Sequence, residues 1–239
     1  MLQQVASPSL TAAQEAKAAA TVERLKAAVR DYQRVTYSNS LGAESMVLTD
    51  LIWSHVPEID IFTLDTGRLF EETYTLIDRL EGRYKRRLRI VHPEAADIEG
   101  YAREHGINGF YNGVEQRQAC CRIRKILPFK RAIAGFGAWV TGVRTEQSAQ
   151  RGEAQPVEFD EANGLHKISP ILDWTHDDIW AWIRARKLPY SPLHDRGFPS
   201  IGCAPCTRAV QPGEDSRAGR WWWEATANRE CGLHPKFKT

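Results

Sequence analysis

The chain has 239 residues and a formal net charge of +2, with 42% hydrophobic and 26% charged residues. This is the mixture of an ordinary globular protein, and the length suffices for one sizeable α/β domain with its own core. No block is basic enough to predict nucleic-acid binding, and no apolar run has the length of a membrane span or a signal-peptide core. The sequence therefore predicts a protein that binds neither nucleic acid nor membranes, and its paired cysteines, without an export signal, indicate a reducing cytoplasm.

Strands and helices alternate along most of the chain. The Ala-, Glu-, Lys- and Leu-rich segment 11–33 predicts a leading helix. Strands are predicted at 34–38, 59–64, 88–91 and 138–141, and helices at 43–54, 69–80, after Pro93 and at 174–186. This alternation predicts an α/β fold with a parallel sheet and helices on both faces, in which ligands bind at the carboxyl ends of the strands.

The ends of the chain differ in character from its middle. Thr175 is a candidate N-cap for the last predicted helix, and from Lys187 onward short polar turns predict a loop-rich tail. We therefore expect an N-terminal helical segment at 1–33, an α/β domain at 34–210 and a C-terminal tail at 211–239.

A polar loop, Ser38 to Ser45, follows the first predicted strand. Gly42 lets the backbone approach an anion, while the hydroxyls of Ser38 and Ser40 and the N–H groups of the next helix can donate to phosphate oxygens. Two more polar segments, 63–69 and 141–151, follow later strands. Each alone could be a turn with solvated arginines, but three at successive strand ends predict a nucleotide site.

Four of the five cysteines form two pairs, Cys120-Cys121 and Cys203-x-x-Cys206. Four thiolates are ligands for zinc or an iron–sulfur cluster. Adjacent residues on a helix point roughly 100° apart, so a vicinal pair serves one tetrahedral zinc only with strain. A cube-shaped [4Fe–4S] cluster offers separate iron corners and is the prediction, with zinc as the alternative.

The fifth cysteine, Cys231, lies apart in the polar segment Glu230-Cys231-Gly232-Leu233-His234. A neighbouring histidine such as His234 can favour the thiolate, which predicts a reactive rather than a buried cysteine. Upstream, Arg217 and Arg220 have the i, i+3 spacing that places two guanidinium groups on one helical face, where they suit phosphate or sulfate oxygens.

Three features occur together in this sequence: the cysteine pairs, the string Cys120-Cys121-x-x-Arg124-Lys125-x-x-Pro128 and the Glu-Cys-Gly-Leu-His tail. In these features the chain resembles the thioredoxin-dependent adenylyl-sulfate (APS) reductases of sulfate assimilation, which belong to the PP-loop superfamily. The phosphate loop departs from the usual pattern at Ser45, where an acidic residue is more typical. The resemblance implies a [4Fe–4S] cluster on the four paired cysteines, Cys231 as nucleophile, and substrate contacts from Ser38, Ser40, Gly42, the Leu64 backbone, Lys125, Gly142, Arg144, Arg151, Arg217 and Arg220.

The implied reaction has two halves. Cys231 attacks the sulfur of APS, AMP leaves, and thioredoxin or a glutaredoxin-like protein then releases sulfite from the S-sulfocysteine. The expected assembly is a homo-oligomer. Three alternatives stay open: a reductase of 3′-phosphoadenylyl sulfate (PAPS), although such enzymes generally lack the four cluster cysteines; a PP-loop ATP pyrophosphatase or RNA-thiolating enzyme with structural zinc; and an iron–sulfur electron carrier or redox sensor.

Overall fold

A computed structural model describes residues 9–147 and 154–224 of the chain. Seven α-helices are found in these ranges: α1 Ala12–Tyr32, α2 Ala43–His55, α3 Glu71–Tyr84, α4 Ala95–His105, α5 Val114–Cys121, α6 Leu127–Ile133 and α7 His176–Arg186. Six strands accompany them: β1 Val35–Asn39, β2 Asp60–Leu64, β3 Arg89–Val91, β4 Ala138–Val140, β5 Val157–Asp160 and β6 Leu165–Ile168. No helix within the described ranges is long and apolar enough to cross a membrane.

The strands form one mixed sheet in the order β3-β2-β1-β4-β6-β5. Strand β2 pairs in parallel with β3, β1 with β4, and β4 with β6, which confirms the predicted α/β class. The antiparallel hairpin of β5 and β6 is not predicted from the sequence. Its outer strand is at the sheet edge, where Val157 and Phe159 are about half exposed, so the strand lacks the apolar run that marks a buried parallel strand.

By its internal contacts the chain divides into two units. The first unit contains residues up to 61 together with 79–86 and 135–190, and the second contains 62–78, 87–134 and the residues from 191 onward. In the first unit, α2 is buried on nearly every side, and Val47, Leu48 and Ile52 are completely buried. A helix that is apolar all round requires neighbours on more than one face. Helices α1 and α7 provide them, and α1 turns the stripe of Ala18, Val22, Leu25 and Ala28 inward.

The second unit contains the helices that carry the vicinal cysteines. Helix α5 ends at Cys121 and continues through one π-helical turn, Arg122–Ile126, into α6. The α6 residue Phe129 contacts Phe62 of β2 with ring centroids 6.0 Å apart, and the Arg89 guanidinium lies 5.1 Å from the Phe62 ring centroid. These contacts fix α6 against the strand pair β2–β3, and thereby fix the cysteine pair that precedes it.

Helix α7 begins as predicted at the N-cap Thr175. The Thr175 hydroxyl accepts a hydrogen bond from the Asp178 N–H, and the Asp178 carboxylate accepts one from the Thr175 N–H. The same carboxylate pairs with the Lys17 ammonium of α1 at 2.5 Å. Partial burial of Asp178 opposes its ionisation, but Lys17 and the capping hydrogen bonds outweigh burial and lower its pKa to about 2.

We predict that Asp178→Asn lowers the free energy of unfolding at pH 7 by about 1–2 kcal/mol. Because the folded pKa lies below the ordinary 3.8, this stabilisation is fully present above pH about 4 and is lost as the pH falls through about 2. Urea unfolding between pH 3 and pH 7 measures the difference. Asp177→Asn, in the same helical turn, is the control, and an equal loss in both variants would contradict the assignment to the Lys17 pair.

Candidate active site

The predicted phosphate loop in the first unit turns sharply between β1 and α2. The positive φ is at Leu41 (60°), and Gly42 takes the N-cap of α2 with ordinary extended backbone. A leucine in this region is strained, and the Asn39 side chain holds it there by accepting the Leu41 N–H at 2.7 Å. Thr49 in turn accepts a hydrogen bond from the Asn39 amide at 2.8 Å. The loop is therefore held in shape from inside the protein.

Ser45, where the family pattern favours an acidic residue, closes this loop. Its hydroxyl lies 2.9 Å from the Ser40 hydroxyl and accepts the Ser40 N–H at 3.1 Å. Gly42 offers α2 no side-chain cap. The N-terminus of a 13-residue helix thus adjoins a loop with two serine hydroxyls, an arrangement that suits an anion.

Arg144 lies beside this loop, but its guanidinium is occupied by protein groups. It is 5% exposed, its Nε donates to Glu44 at 3.0 Å, and its Nη1 donates to Glu146 at 2.7 Å and to the Trp174 carbonyl at 3.2 Å. Glu44 is in the first turn of α2, so Arg144 neutralises a carboxylate next to the loop. The geometry gives Arg144 a role in organising the loop, and its predicted substrate contact stays a prediction.

Packing also explains the glycine at position 142, in addition to its predicted contact with the ligand. A Cβ added there would lie 3.3 Å from Glu44 Cβ and 3.7 Å from Leu48 Cδ1. Glycine therefore lets the segment after β4 approach α2 closely. Leu64, the other predicted backbone contact, ends β2 opposite Val91 and is half-buried.

All four paired cysteines are buried in the second unit and line one cavity of about 380 Å³, including the solvent at its mouth. Cys120 and Cys121 end α5, while Cys203 and Cys206 bracket a short 3₁₀ turn with Pro205 between them. The Ala204 N–H donates to the Arg68 carbonyl at 2.8 Å, which fixes this turn against the loop after β2. The two pairs, which are distant in the sequence, thus line a common cavity, and their role as cluster ligands stays a prediction.

Five cationic side chains line the same cavity: Arg68, Arg117, Arg124, Lys125 and Arg220. Their effect differs among the thiols. Burial opposes ionisation of Cys203, but Lys125, the Thr66 hydroxyl, Arg220 and Arg124 outweigh it and lower the Cys203 pKa. Burial and the charge of Cys203 raise the pKa of Cys206 to about 12. Of these five cations, only Lys125 and Arg220 were predicted from the sequence as substrate-binding residues.

Thr66 and Arg124 are site residues that the sequence reasoning missed. The Thr66 hydroxyl lies 3.2 Å from Cys203 Sγ, and the Arg124 guanidinium donates to the Thr66 carbonyl at 2.6 Å. Both residues stand in segments already singled out, one in the loop after β2 and one directly after the vicinal cysteines. A polar residue at the end of a parallel strand was the available signal.

The cavity also presents donors that no described residue satisfies. Arg124 Nε, Arg220 Nε and Trp221 Nε1 are buried and have no hydrogen-bond partner within residues 9–147 and 154–224. Buried N–H groups without acceptors are uncommon, and all three residues line the cavity, so the set suits a bound group that brings acceptor atoms. In the described ranges, however, no three His, Cys, Asp or Glu side chains are grouped as a single metal-ion site.

The two C-terminal arginines are not on a helix, which corrects the predicted helical face. Residues 216–219 form turns, and the Arg220 N–H donates to the Arg217 carbonyl at 2.9 Å. Arg220 is buried, and Gly202 makes room for it, since a Cβ at 202 would lie 2.6 Å from the Arg220 Cζ. Gly213 and the short polar residues around Asp215 favour turns over a helix.

Three predicted site residues, Arg151, Cys231 and His234, lie outside the described residues. Their roles stay predictions.

A family model, the phosphoadenosine phosphosulfate reductase domain, matches residues 34–209. The chain belongs to this family. Among its relatives is an adenosine 5′-phosphosulfate reductase of Allochromatium vinosum, 52% identical over 216 residues that cover 90% of this chain and 84% of that protein. A second adenosine 5′-phosphosulfate reductase, from Burkholderia cepacia, is 51% identical over 90% of this chain and 88% of that protein.

Solved structures agree with the family. A phosphoadenylyl-sulfate (PAPS) reductase from Candida auris has a TM-score of 0.69 at 26% identity, covering 85% of this chain and all of that one. An FMN adenylyltransferase from Candida glabrata has a TM-score of 0.58 at 16% identity, covering 85% of this chain and 68% of that one. At this identity the likeness shows a shared fold alone. The PP-loop type of α/β fold predicted for the chain is thereby confirmed.

We predict that Arg144→Met lowers the free energy of unfolding by about 2–4 kcal/mol, because it leaves the carboxylate of Glu44 beside the loop without its partner. Urea unfolding at pH 7 measures the change. Arg30→Met removes an exposed arginine that pairs with Asp31 and should cost less than about 0.5 kcal/mol. A loss at position 144 no larger than in this control would show that the pair does not organise the loop.

Proposed function

We propose that this protein reduces APS to sulfite and AMP in sulfate assimilation, with a thiol of its own as the attacking group. The observation that carries the proposal is the cavity in which four buried cysteines meet five cationic side chains. Identities of about half to proteins named adenosine 5′-phosphosulfate reductase, over nine-tenths of the chain, support APS as the substrate.

The nucleotide is assigned to the first-unit loop and to the ends of two strands. The N-terminus of α2 and the hydroxyls of Ser38 and Ser40 supply donors for a phosphate group. Gly42, Leu64 and Gly142 are the proposed backbone contacts. The Arg144 guanidinium donates to Glu44 in the described geometry. Arg151 is therefore the arginine of this segment that we propose to contact the substrate directly.

The cavity fits a [4Fe–4S] cluster held by Cys120, Cys121, Cys203 and Cys206. Four thiols are the ligand set that such a cluster requires, and its sulfur atoms would accept the N–H groups that have no described partner. When bound, the cluster would polarise the substrate, and this role would not need a change in its oxidation state. The vicinal pair Cys120-Cys121 favours the cluster over zinc, because adjacent helical residues point roughly 100° apart and serve one tetrahedral ion only with strain.

Cys231 is the proposed nucleophile. Its thiolate attacks the sulfur of APS, an S–S bond forms, and AMP leaves with the electron pair of the broken S–O bond. Lys125, Arg217 and Arg220 offset the repulsion between the two anions and stabilise charge on the departing phosphate. His234 assists formation of the thiolate.

A dithiol reductant completes the cycle. One thiolate of thioredoxin or a glutaredoxin-like protein attacks Cys231 Sγ, sulfite leaves with the electron pair of the S–S bond, and the second thiol resolves the mixed disulfide. The reductant is oxidised to its disulfide and Cys231 is regenerated. Such chemistry requires a reducing compartment, so we place the protein in the cytoplasm, where a homo-oligomer is the proposed assembly.

We predict that Cys231→Ser abolishes sulfite release while the protein keeps its iron and acid-labile sulfide, because the nucleophile is separate from the four ligands. Mass spectrometry of the native protein mixed with APS, without reductant, should show a sulfonate-sized adduct at Cys231. Cys206→Ser is the control and should lose iron. Sulfite release by Cys231→Ser at the native rate would rule out this nucleophile.

Substrate choice separates the proposal from its nearest alternative, a PAPS reductase. We predict that kcat/KM for APS exceeds that for PAPS by at least about 100-fold, equivalent to about 2.7 kcal/mol of discrimination. Steady-state sulfite production with the two nucleotides under one reductant measures the ratio. A preference for PAPS would assign the protein to the other reductase.

A further inference from the structure

A buried ion pair joins α5 to the C-terminal end of the described chain. Arg117 Nε donates to Glu224 Oε1 at 2.7 Å and Arg117 Nη2 donates to Oε2 at 3.1 Å. Both side chains are only 4% exposed. The bidentate geometry is the strongest form of this contact.

The residues just before Glu224 are also fixed to the thiol cavity. The Trp221 N–H donates to the Cys206 carbonyl at 3.2 Å, and the Glu224 N–H donates to the Trp221 carbonyl at 2.9 Å. The Trp221 ring is 1% exposed, with the guanidiniums of Arg117 and Arg220 at 4.6 and 4.8 Å from its centroid. The segment 220–224 is thus held both by backbone and by side chains.

Packing alone would not require charges here. A buried ion pair loses solvation on both partners, and apolar residues of similar volume often stabilise a fold as well or better. A bidentate pair does provide a single defined position. Arg117 precedes Cys120 by one helical turn, and Glu224 precedes Cys231 by seven residues in the sequence. The pair therefore links the helix of the cluster ligands to the chain that leads to the nucleophile.

We propose that the Arg117–Glu224 pair anchors the Cys231 segment: it fixes the chain seven residues before the nucleophile to the wall of the thiol cavity. Seven residues span at most about 25 Å, so the anchor limits the volume that the Cys231 thiol can occupy and raises its effective concentration at the substrate. Arg117 and Glu224 are positioning residues in this scheme. The inference rests on the proposed role of Cys231.

Glu224→Gln tests the anchor because it keeps the size of the side chain and removes its charge. On mixing with APS without reductant, the variant should form the Cys231 adduct at least about 10-fold more slowly than the native protein, with iron content and APS affinity within about twofold. Hydrogen exchange at the Trp221 amide should become faster. Glu224→Asp keeps the carboxylate and should lie between the two.

Glu214→Gln is the matched control, since Glu214 pairs with Arg208 in the same stretch of chain but at the surface. It should leave adduct formation unchanged. Adduct formation by Glu224→Gln at the native rate would overturn the anchor, and so would loss of its iron, which would make the pair a support of the cluster ligands. If the native protein forms no adduct, the proposed function fails as well.

A length variant tests the anchor without touching the pair. Inserting seven Gly/Ser residues between Ala227 and Asn228 doubles the chain from Glu224 to Cys231 and should slow adduct formation about threefold or more, by the −3/2 power of length. Exchange at the Trp221 amide should stay slow. An unchanged rate of adduct formation would contradict the proposal that distance from the anchor sets the position of the thiol.

Discussion

Four cysteines and five cationic side chains share one buried cavity, and each set makes the burial of the other possible. A guanidinium or ammonium group out of water requires an opposite charge or hydrogen-bond acceptors. A thiol in the same place stays protonated unless cations or a metal stabilise its thiolate, as the opposite pKa changes of Cys203 and Cys206 illustrate. Glu224 pairs with Arg117, and Arg124 donates to the Thr66 carbonyl, so protein groups already satisfy part of this positive charge.

The phosphate loop meets the same constraint on a smaller scale. A helix N-terminus attracts anions, but α2 carries Glu44 in its first turn, and an unpaired carboxylate there would oppose a phosphate. Arg144 pairs with it, and Ser45 closes the loop with a neutral hydroxyl where the family pattern places an acid. The loop therefore has one acid fewer to neutralise, which explains physically how the departure at Ser45 is compatible with an anion site.

The sequence predicts what depends on local pattern. The strand–helix alternation and the N-cap at Thr175 are readable from neighbouring residues, and the structure confirms them. The two cysteine pairs are readable in the same way and line one cavity, while their role as ligands stays a prediction. The ion pair of Arg117 with Glu224 and the contact of Thr66 with Cys203 could not be found in this way, because the partners are more than 100 positions apart in the sequence. The i, i+3 spacing of Arg217 and Arg220 misled for a related reason: a turn gives the same spacing as a helix.

The proposed separation of the nucleophile from the four ligand thiols agrees with the properties of the cavity. The thiols of this cavity are buried, and burial with the charge of Cys203 raises the pKa of Cys206 to about 12, although the nearby cations lower the pKa of Cys203. Such a thiol becomes an anion by binding metal, which also ends its availability for attack. A thiol that must meet first a nucleotide and then a protein dithiol therefore has to come from a different part of the chain. In the proposed scheme, the Arg117–Glu224 pair fixes the chain seven residues before Cys231, so that the thiol would stay within reach of the cavity and separate from the proposed ligands.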